Sequence, residues 1–432
     1  MVAVGAHPAG ATRARSLSRF PGPERRRLHY GPPVTVPVFA LGDRSLFPDL
    51  QAKAYLAHAA VAPVSSLVKE AVNRLLGGYA AQGNGAFFEW MDQRERLREK
   101  LGRLIGARAE DIALGSGTSR GLTDVALSMP WRSGDKIVLF DREFPANVCP
   151  WQRAAELFGL RLAFVDMSRA ITDTGTILEQ VEVELRGGAR LVAVSAVQFQ
   201  TGLFMPLEEL GKLCQRYGAE LCVDAIQACG VLPLSVERMG IDYLVTGGHK
   251  WLLGPEGVGF VYARAERARA LLPRTSGWLS HEDGTSFLFA GKGQLRYDRP
   301  VKSSIQMLES GSCSAMGFAA LEAAIEPLLA LTPAAIFQHV GGYLDGLESG
   351  LVARGFRSLR AAKEAARSAI LTVDPPAGVG ATELVSELRS RGVYASMPDG
   401  LLRLAPHFSN AASEIETVLG AVDESLQVVH RG

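Results

Sequence analysis

The stretch VTGGHKWLLGPEGVGFVY (residues 245–262) decides the fold of this chain. Apolar runs at both of its ends are typical of two buried strands, and the glycines between them let backbone and ligand approach closely. One lysine, Lys250, follows the Gly-Gly-His run at 247–249. Because apolar residues follow at 251–253, the pattern disfavours a solvent-exposed turn lysine. We expect the amine of Lys250 to point into a crevice at the end of the first strand.

Short apolar runs precede this stretch and alternate with helical patterns. Their near-continuous apolar character is typical of strands that helices cover on both faces. We therefore predict an α/β fold with a mostly parallel sheet between helices. The predicted strands are KIVLFD (136–141), RLAFVD (161–166), RLVAVSAV (190–197), AELCVDAI (219–226), DYLVTGG (242–248) and GVGFVYA (257–263).

The flanking segments predict a second, smaller domain. Helices are predicted after Ser65, a possible N-cap, and over 87–106 and 314–331. The tail from about 368 predicts three strands and two helices, the last from about residue 412, which indicates an α+β unit. We expect a large domain over 76–325 and a small domain built from 31–75 and 326–432. Residues 1–30, rich in Gly, Pro and Arg, predict a disordered extension, with an organellar transit peptide as the less favoured alternative.

Charge and hydropathy indicate which partners to expect. The chain carries 46 Lys plus Arg against 45 Asp plus Glu, so no strong field favours nucleic acid or an anionic membrane surface. No apolar run approaches the roughly 20 residues that span a bilayer. A small molecule or a second copy of the chain is therefore the expected partner.

The cysteines and histidines predict neither a disulfide framework nor a metal site. Five cysteines occur in 432 residues without a C-x-x-C pair, which favours a reducing, cytoplasmic location. The eight histidines are scattered, with no ligand spacing among them. We expect no metal.

The segment DIALGSGTSRGLTDVAL (111–127) predicts a strand, a glycine-rich turn and a helix. Gly115, Gly117 and Gly121 let the backbone approach an anion, and free N–H groups at a helix start favour phosphate. The spacing is also close to a dinucleotide fingerprint, with Asp141 where a ribose-binding carboxylate would follow. We predict a phosphate site, with the ligand left open.

Asp224 ends the apolar strand in AELCVDAIQACG (219–230), where ligands of doubly wound sheets bind. An unpaired carboxylate there is costly. It is interpreted either as a helix N-cap or as the partner of a cation or strong donor, with Gln227 as a further donor beside it.

Together the three segments supply a phosphate cradle, an anion for a ring nitrogen, and a lysine for a Schiff base. A desolvated lysine near other cations has a lowered pKa and attacks carbonyls. These are the parts of a pyridoxal phosphate site. A nicotinamide dehydrogenase accounts only for the first and is the distant alternative, beside a catalytically silent cofactor-binding protein.

These motifs resemble the class V aminotransferase family of fold type I pyridoxal phosphate enzymes, which includes cysteine desulfurases, kynureninase and isopenicillin N epimerase. The resemblance covers roughly 55–426 and rests mainly on VDAIQA and GGHKWLLGPEGVGF, with Lys250 lying 26 positions after Asp224. It implies a fold type I architecture, pyridoxal phosphate as cofactor, and a homodimer with active sites at the subunit interface.

The resemblance implies roles for four polar residues. Lys250 resembles the lysine that forms the Schiff base and later moves the Cα proton. Asp224 resembles the aspartate that keeps the pyridine nitrogen protonated. Gln227 is similar to the residue that hydrogen-bonds the ring hydroxyl, and His249 to the phosphate-contacting neighbour of the lysine.

The resemblance also places residues around the phosphate and the ring. Gly117, Thr118 and Ser119 stand where the family binds phosphate at a helix start. Phe144 stands where an aromatic ring or imidazole stacks on the cofactor, and Ile226 where a side chain packs on the opposite face.

Three further residues resemble substrate and interface positions. Arg403, in LLRLAPHFSN (401–410), resembles the arginine that holds the substrate α-carboxylate. Trp278, in SGWLSH, and Ser312, in LESGSC, resemble segments that reach the phosphate of the neighbouring subunit.

Departures from the family pattern bear on the reaction. The last cysteine, Cys313, matches a phosphate-binding turn rather than a desulfurase loop, so a persulfide mechanism is disfavoured. Phe144 replaces the stacking histidine of desulfurases, as in kynureninase, yet His249 and Leu279 depart from kynureninase. We predict an enzyme that deprotonates Cα of an α-amino acid, favouring a β-eliminating lyase, with aminotransferase or epimerase as alternatives.

Two positions of the family pattern are open in this sequence. Gly247 replaces a hydroxyl residue that contacts phosphate, so Thr246 or the partner chain is expected to compensate. The asparagine that desulfurases place near the ring has Gln198 and Gln200 as candidates.

Overall fold

A computed structural model of this chain describes residues 38–429. The predicted N-terminal extension, residues 1–30, lies outside that range. Residues 38–429 contain twelve strands: β1 (Ala54–Tyr55), β2 (Ile112–Gly115), β3 (Lys136–Phe140), β4 (Arg161–Val165), β5 (Ala189–Ser195), β6 (Glu220–Asp224), β7 (Tyr243–Gly247), β8 (Gly259–Ala263), β9 (Arg357–Ser358), β10 (Leu371–Asp374), β11 (Val393–Tyr394) and β12 (Leu402–Leu404).

The same residues form thirteen α-helices. They are α1 (Ser66–Gln82), α2 (Phe87–Ile105), α3 (Thr118–Ser128), α4 (Cys149–Phe158), α5 (Gly175–Arg186), α6 (Leu207–Tyr217), α7 (Ala265–Ala270), α8 (Ser286–Phe289), α9 (Ala315–Ala324), α10 (Glu326–Leu331), α11 (Pro333–Val352), α12 (Ala381–Ser390) and α13 (Glu414–Val429).

Seven strands make the central sheet in the order β2-β8-β7-β6-β5-β3-β4. The pairs among β4, β3, β5, β6 and β7 are parallel, and only β8 runs antiparallel to its two neighbours. The predicted α/β fold with a mostly parallel sheet is confirmed. The connection from β7 to the reversed strand β8 contains Lys250.

Successive residues of a strand pack alternately into two separate hydrophobic cores, one on each face of the sheet. On β3, Val138 and Phe140 pack into one cluster with residues of α5 and α6, whereas Ile137 and Leu139 pack into the other with residues of α3 and α4. Because both faces are covered, the strands need no polar positions, which explains their near-continuous apolar sequence.

The predicted helix ends are confirmed at two sites. Ser65 caps α1 by accepting a hydrogen bond from Val68 N, and Gly106 ends α2 in the left-handed conformation. The segment predicted to be helical over 314–331 is helical but consists of two helices, α9 and α10, that meet at Ile325. Pro327, in the first turn of α10, has no N–H to continue the hydrogen bonding of α9.

Two small sheets come from the chain segments outside the central one. Strands β12, β10 and β9 form an antiparallel sheet, and β1 pairs in parallel with β11 through Ala54 and Val393. The early segment thus contacts the tail, although the described residues from Phe39 onward form one compact unit. The division at 76 and 325 into large and small domains stays a prediction.

Within the described range, no single helix has the length and hydropathy to cross a membrane. The segment Ala315–Leu331, which contains α9 and α10, and the helix α11 (Pro333–Val352) meet those criteria together by length and composition, with a bend of 78° between them.

Candidate active site

A cavity of about 640 Å³ opens at the carboxyl ends of the central strands. The connections after β2, β3, β5, β6 and β7 contribute to it, together with a segment before α1 and residues near β12. Its lining residues are Ala59, Ala60, Ser116, Gly117, Thr118, Ser119, Arg120, Phe144, Ala146, Phe199, Asp224, Ile226, Gln227, His249, Lys250, Glu256, Gly257, Pro398 and Arg403. Parallel strands bring their carboxyl ends to one edge, which is why distant sequence positions meet here.

The start of α3 forms one side of the cavity. Gly117 precedes this helix with φ 123°, a conformation that favours glycine, and no side chain caps the helix. Gly121 lies against β7, where an added Cβ would come within 2.5 Å of Val245 Cγ1. These glycines seat the open end of the helix, with its N–H groups, against the cavity.

Thr118 carries an unsatisfied hydroxyl at this helix start. Its side chain is buried, and Oγ1 has no hydrogen-bond partner among the described residues. A buried hydroxyl without a partner costs free energy. Thr118 and the neighbouring Ser119 therefore fit an anionic ligand that accepts their hydrogen bonds.

Asp224 ends β6 and is almost completely buried. Its Oδ1 accepts a hydrogen bond from Ile226 N at 2.9 Å. Burial raises the pKa of Asp224 to about 6, against the lowering effects of that hydrogen bond and of the Lys250 charge. The carboxylate therefore lacks a strong partner, and a protonated ring nitrogen would provide one.

Lys250 follows β7, and its amine lies 5.6 Å from the centroid of the Phe144 ring. Burial lowers the pKa of Lys250 to about 8; the Asp224 carboxylate opposes this shift and the Arg403 cation adds to it. A large fraction of the amine is therefore neutral near pH 8, as a nucleophile or general base requires.

Arg403 lies on β12 and reaches the cavity from the side of the small sheet. Its Nε donates to Ser396 Oγ at 3.0 Å, and its Nη1 donates to Phe199 O at 2.7 Å. Burial lowers the pKa of Arg403 to about 10, and no carboxylate of residues 38–429 contributes to that pKa. A buried guanidinium without an anion fits a substrate carboxylate.

Phe144 and Ile226 border the cavity from different connections. The Phe144 ring meets the Phe199 ring edge to face, with centroids 5.3 Å apart at 80°. Ile226 is partly buried directly after the Asp224 turn. Both residues line the cavity as predicted, and their roles as ring-stacking residues stay a prediction.

Gln227 and His249 also line the cavity. Gln227 Nε2 donates to Ala59 O at 3.0 Å, and Gln227 Oε1 accepts from Trp251 Nε1 at 2.8 Å, so the amide is held in one orientation. Its second N–H remains available to a ligand. Burial, with a contribution from Lys250, lowers the pKa of His249, which favours its neutral form.

Trp278 and Ser312 are absent from the lining of this cavity. Trp278 is 44% exposed and contacts Phe287 with ring centroids 6.1 Å apart, and Ser312 is exposed. Their expected role concerns a neighbouring subunit and stays a prediction.

Sequence reasoning missed Phe199, which lies between the two glutamines proposed for its segment. Gln198 Oε1 accepts from Gln200 N and Thr201 N, and Gln198 Nε2 donates to Arg142 O. Gln200 Nε2 donates to Asp399 Oδ2 at 2.8 Å. Both amides hold the loop, so the side chain that lines the cavity from this segment is Phe199. Its place directly after a predicted strand was the only signal in the sequence.

Thr246 and Asp141, two further residues considered from the sequence, do not line the cavity. Thr246 Oγ1 donates to Gly247 O at 3.3 Å. Asp141 Oδ1 accepts a hydrogen bond from Met167 N.

Cys313 is also absent from the cavity lining, and the five cysteines, all in the described range, are free. That range also holds no cluster of His, Cys, Asp and Glu suited to a metal ion.

Comparison with known proteins gives relatives along most of the chain. A family model described as aminotransferase class-V matches residues 54–401. The uncharacterized aminotransferase YcbU of Bacillus subtilis (strain 168) is 26% identical over 390 residues, which cover 90% of this chain and 98% of that protein. Isopenicillin N epimerase of Streptomyces clavuligerus is 28% identical over 336 residues, 76% of this chain and 83% of its own.

A solved structure shows the same fold. The apo structure of a cysteine desulfurase from Thermococcus onnurineus NA1 matches with a TM-score of 0.76 and 25% identity, over 87% of this chain and 95% of that one. The predicted fold type I architecture is confirmed. Because the family model spans most of the chain, this protein belongs to the class V aminotransferase family of pyridoxal phosphate-dependent enzymes.

Proposed function

We propose that this enzyme is a lyase that eliminates a substituent, such as a sulfur group, from Cβ of an α-amino acid. The observation that carries the proposal is the convergence of Lys250, Asp224 and Arg403 on one cavity. The family includes cysteine desulfurases and an epimerase among the relatives of this chain. Transamination and epimerisation begin with the same deprotonation and are the alternatives.

The cavity residues fit pyridoxal phosphate. The unsatisfied Thr118 hydroxyl and the open N-terminus of α3 suit its phosphate, and the Asp224 carboxylate suits its protonated ring nitrogen. The Lys250 amine lies on the same side of the sheet as both. Bound there, the cofactor supplies an electron sink for the bonds at Cα.

Arg403, Lys250 and Asp224 have separate roles in the proposed reaction. Arg403, fixed by Ser396 and Phe199 O, holds the substrate α-carboxylate through its free N–H groups. The neutral amine of Lys250 removes the proton from Cα, and a pKa of about 8 leaves a large fraction of the amine neutral near that pH. With the cofactor bound, the Asp224 carboxylate would stabilise a protonated ring nitrogen.

Elimination of a sulfur substituent balances without a cysteine of the chain. Lys250 takes the Cα proton, the Cβ–S bond breaks with its electron pair on sulfur, and the thiolate leaves and is protonated. Hydrolysis of the remaining fragment with one water gives a 2-oxo acid and ammonium. No cysteine lines the cavity in the described chain, so we propose release of a thiol rather than transfer to an enzyme persulfide.

A substrate panel tests the proposal. Purified holoenzyme is incubated with amino acids that bear a sulfur substituent on Cβ, and thiol, 2-oxo acid and optical rotation are followed separately. The lyase releases thiol and 2-oxo acid in equal amounts without an amino acceptor. Product formation only with an added 2-oxo acid would instead identify an aminotransferase, and loss of rotation alone an epimerase.

Borohydride treatment tests the covalent anchor independently of turnover. Reduction of the holoenzyme should fix the cofactor on Lys250, which peptide mass mapping would locate. Lys250→Ala should keep the cofactor bound without any covalent label and should lose turnover. Full turnover in that variant would remove Lys250 from the mechanism.

We also propose a homodimer. Helix α8 carries the partly exposed rings of Phe287 and Phe289, and Trp278 contacts Phe287. Phe88, which is 54% exposed, lies with its ring centroid 5.1 Å from that of Phe289. Such an exposed aromatic surface is typical of an interface. Covering it with a second copy would also bring Trp278 and Ser312 towards a neighbouring site, as the resemblance implies.

Light scattering after size exclusion tests this assembly. The wild type should have twice the mass of one chain, and Phe88→Glu combined with Phe289→Glu should yield monomers. Phe164→Glu, at a ring that is 51% exposed on β4, is the matched control and should stay dimeric. A monomeric wild type would contradict the proposal.

We propose a cytoplasmic location, supported by the five free cysteines. Fractionation of cells that express the full chain, probed with an antibody to the protein, tests it. Recovery in a membrane or organelle fraction would contradict it.

A further inference from the structure

We propose that Phe144 and Phe199 form an aromatic wall that selects substrates whose side chain is neutral and apolar, with thioethers preferred. This inference rests on the proposed function, since it names the substrate class of the same site. The wall is defined by these two side chains, both of which line the cavity. Phe144 also carries the predicted stacking contact with the cofactor ring, so Phe199 is the member of the wall that the substrate alone would contact.

The wall lies along the path that an α-amino acid would occupy. Phe144 faces the Lys250 amine, with 5.6 Å between Nζ and the ring centroid, and Phe199 O anchors Arg403 Nη1 at 2.7 Å. The two rings touch edge to face. An amino acid with its carboxylate on Arg403 and its Cα near Lys250 therefore presents its Cβ substituent to this pair.

The loop that carries Phe199 presents no polar side chain to that substituent. The Gln198 amide bonds within its own turn and to Arg142 O, and the Gln200 amide bonds to Asp399. Both amides are therefore engaged away from the cavity. A polar substituent would lose its hydration without gaining a hydrogen bond from this loop.

A charged substituent is disfavoured for the same reason. Of the two guanidinium groups in the described chain that line the cavity, Arg403 serves the α-carboxylate and Arg120 pairs with Asp124 at 2.8 Å. A thioether sulfur, in contrast, gains favourable contact at the edge of an aromatic ring. The wall thus favours sulfur-bearing and aliphatic substituents over carboxylates.

Phe199 allows the wall to be altered without loosening the carboxylate site. Its main-chain oxygen holds Arg403, whereas its side chain forms the wall. A substitution at Phe199 changes the side chain and retains the carbonyl. Selectivity and carboxylate binding can therefore be separated in one variant.

Spectral titration of the holoenzyme, followed by rapid mixing before any thiol is released, provides the test, because an amino acid changes the cofactor absorbance as soon as it binds. The ligands are S-methyl-L-cysteine, L-alanine and L-aspartate. We expect the wild type to bind S-methyl-L-cysteine with a Kd about tenfold or more below that of aspartate. Phe199→Asn should raise the Kd for S-methyl-L-cysteine about tenfold and leave that for alanine within about twofold.

The controls separate the wall from general effects. Phe199→Leu keeps an apolar surface and should retain the preference, and Phe164→Leu, on β4 outside the cavity, should match the wild type in every titration. Equal binding of aspartate and S-methyl-L-cysteine by the wild type would overturn the wall, and this measurement needs no variant to fold. Unchanged selectivity in Phe199→Asn would overturn it as well. Selective binding without thiol release would support the wall while contradicting the lyase.

Discussion

Ser195 donates two hydrogen bonds to Glu143, one from its main-chain N at 2.6 Å and one from Oγ at 2.5 Å. Ser195 ends β5 and pairs with Asp224 across the sheet, so a second carboxyl group lies close to the Asp224 site. Burial raises the pKa of Glu143 to about 7, opposed by both Ser195 hydrogen bonds and reinforced by the charge of Asp224. Glu143 also precedes Phe144 and thereby anchors one side of the aromatic wall.

Glu143→Gln should change the pH dependence of stability. An unfolded glutamate ionises near pH 4.5, but Glu143 in the fold ionises only near 7, so ionisation costs the folded wild type stability as pH rises through this window. The glutamine variant lacks this loss. Its free energy of unfolding relative to wild type should therefore rise by about 3 kcal/mol between pH 4.5 and 8.

Urea unfolding of the two apoproteins at several pH values measures this difference. Glu179→Gln, the same substitution at an exposed position of α5, controls for the overall loss of negative charge. A difference between Glu143→Gln and wild type that stays constant across the window would contradict the prediction.

The reactivity of Lys250 should follow its lowered pKa. When pyridoxal phosphate is added to the apoprotein, the rate at which the Schiff-base absorbance appears should rise with pH. This rate should level off above about pH 8, because the amine is then largely neutral. Asp224→Asn should lower the midpoint, since the carboxylate raises the lysine pKa. Arg403→Met should raise it, since the guanidinium lowers that pKa. Shifts in the opposite directions would show that other groups set the titration.

Thr118→Val should separate stability from cofactor binding. Removing an unsatisfied buried hydroxyl should leave the apoprotein as stable as wild type or more stable by about 1 kcal/mol, while the loss of a donor to phosphate weakens cofactor binding about tenfold. Thermal unfolding and equilibrium titration with pyridoxal phosphate measure the two effects. Thr118→Ser retains the hydroxyl and should bind pyridoxal phosphate like the wild type. Equal weakening of cofactor binding in both variants would mean that packing, rather than the hydroxyl, is responsible.

Arg403→Met should raise KM for the amino acid roughly 30-fold, which corresponds to a loss of about 2 kcal/mol of binding free energy, because a charge-assisted pair with the carboxylate is lost. The KM of Arg403→Lys should lie between those of the wild type and Arg403→Met, since an ammonium keeps the charge but cannot reproduce the two parallel hydrogen bonds of a guanidinium. Steady-state kinetics on the substrate identified in the panel measures both. An unchanged KM in Arg403→Met would mean that another residue binds the carboxylate.

Much of the fold was predictable because its signals are local. Strand β3 is apolar at every position after Lys136, and that pattern indicates two covered faces regardless of what the rest of the chain does. The helix break at Ile325 was missed because an apolar helical pattern continues through Pro327, although the proline ring interrupts the hydrogen bonding.

The candidate site was predictable where a motif carried it. Lys250, Asp224 and the Gly117 turn stand in motifs with defined spacing, and all three reach the cavity. Phe199 and Glu143 lie in loops without such a motif, and their orientation depends on hydrogen bonds to residues far along the chain. Ser195, 52 positions after Glu143, is the partner that fixes the latter.

The sequence by itself determined the strands of the central sheet, the family, and hence the cofactor, because hydrophobic periodicity and motif spacing are properties of short segments. Only the tertiary structure decided that Arg403 is held by the carbonyl of Phe199, 204 positions away, and that Phe199 rather than a glutamine faces the cavity. Such neighbours are set by how the small sheet packs against the β5 connection, and that packing depends on all of the buried surfaces at once.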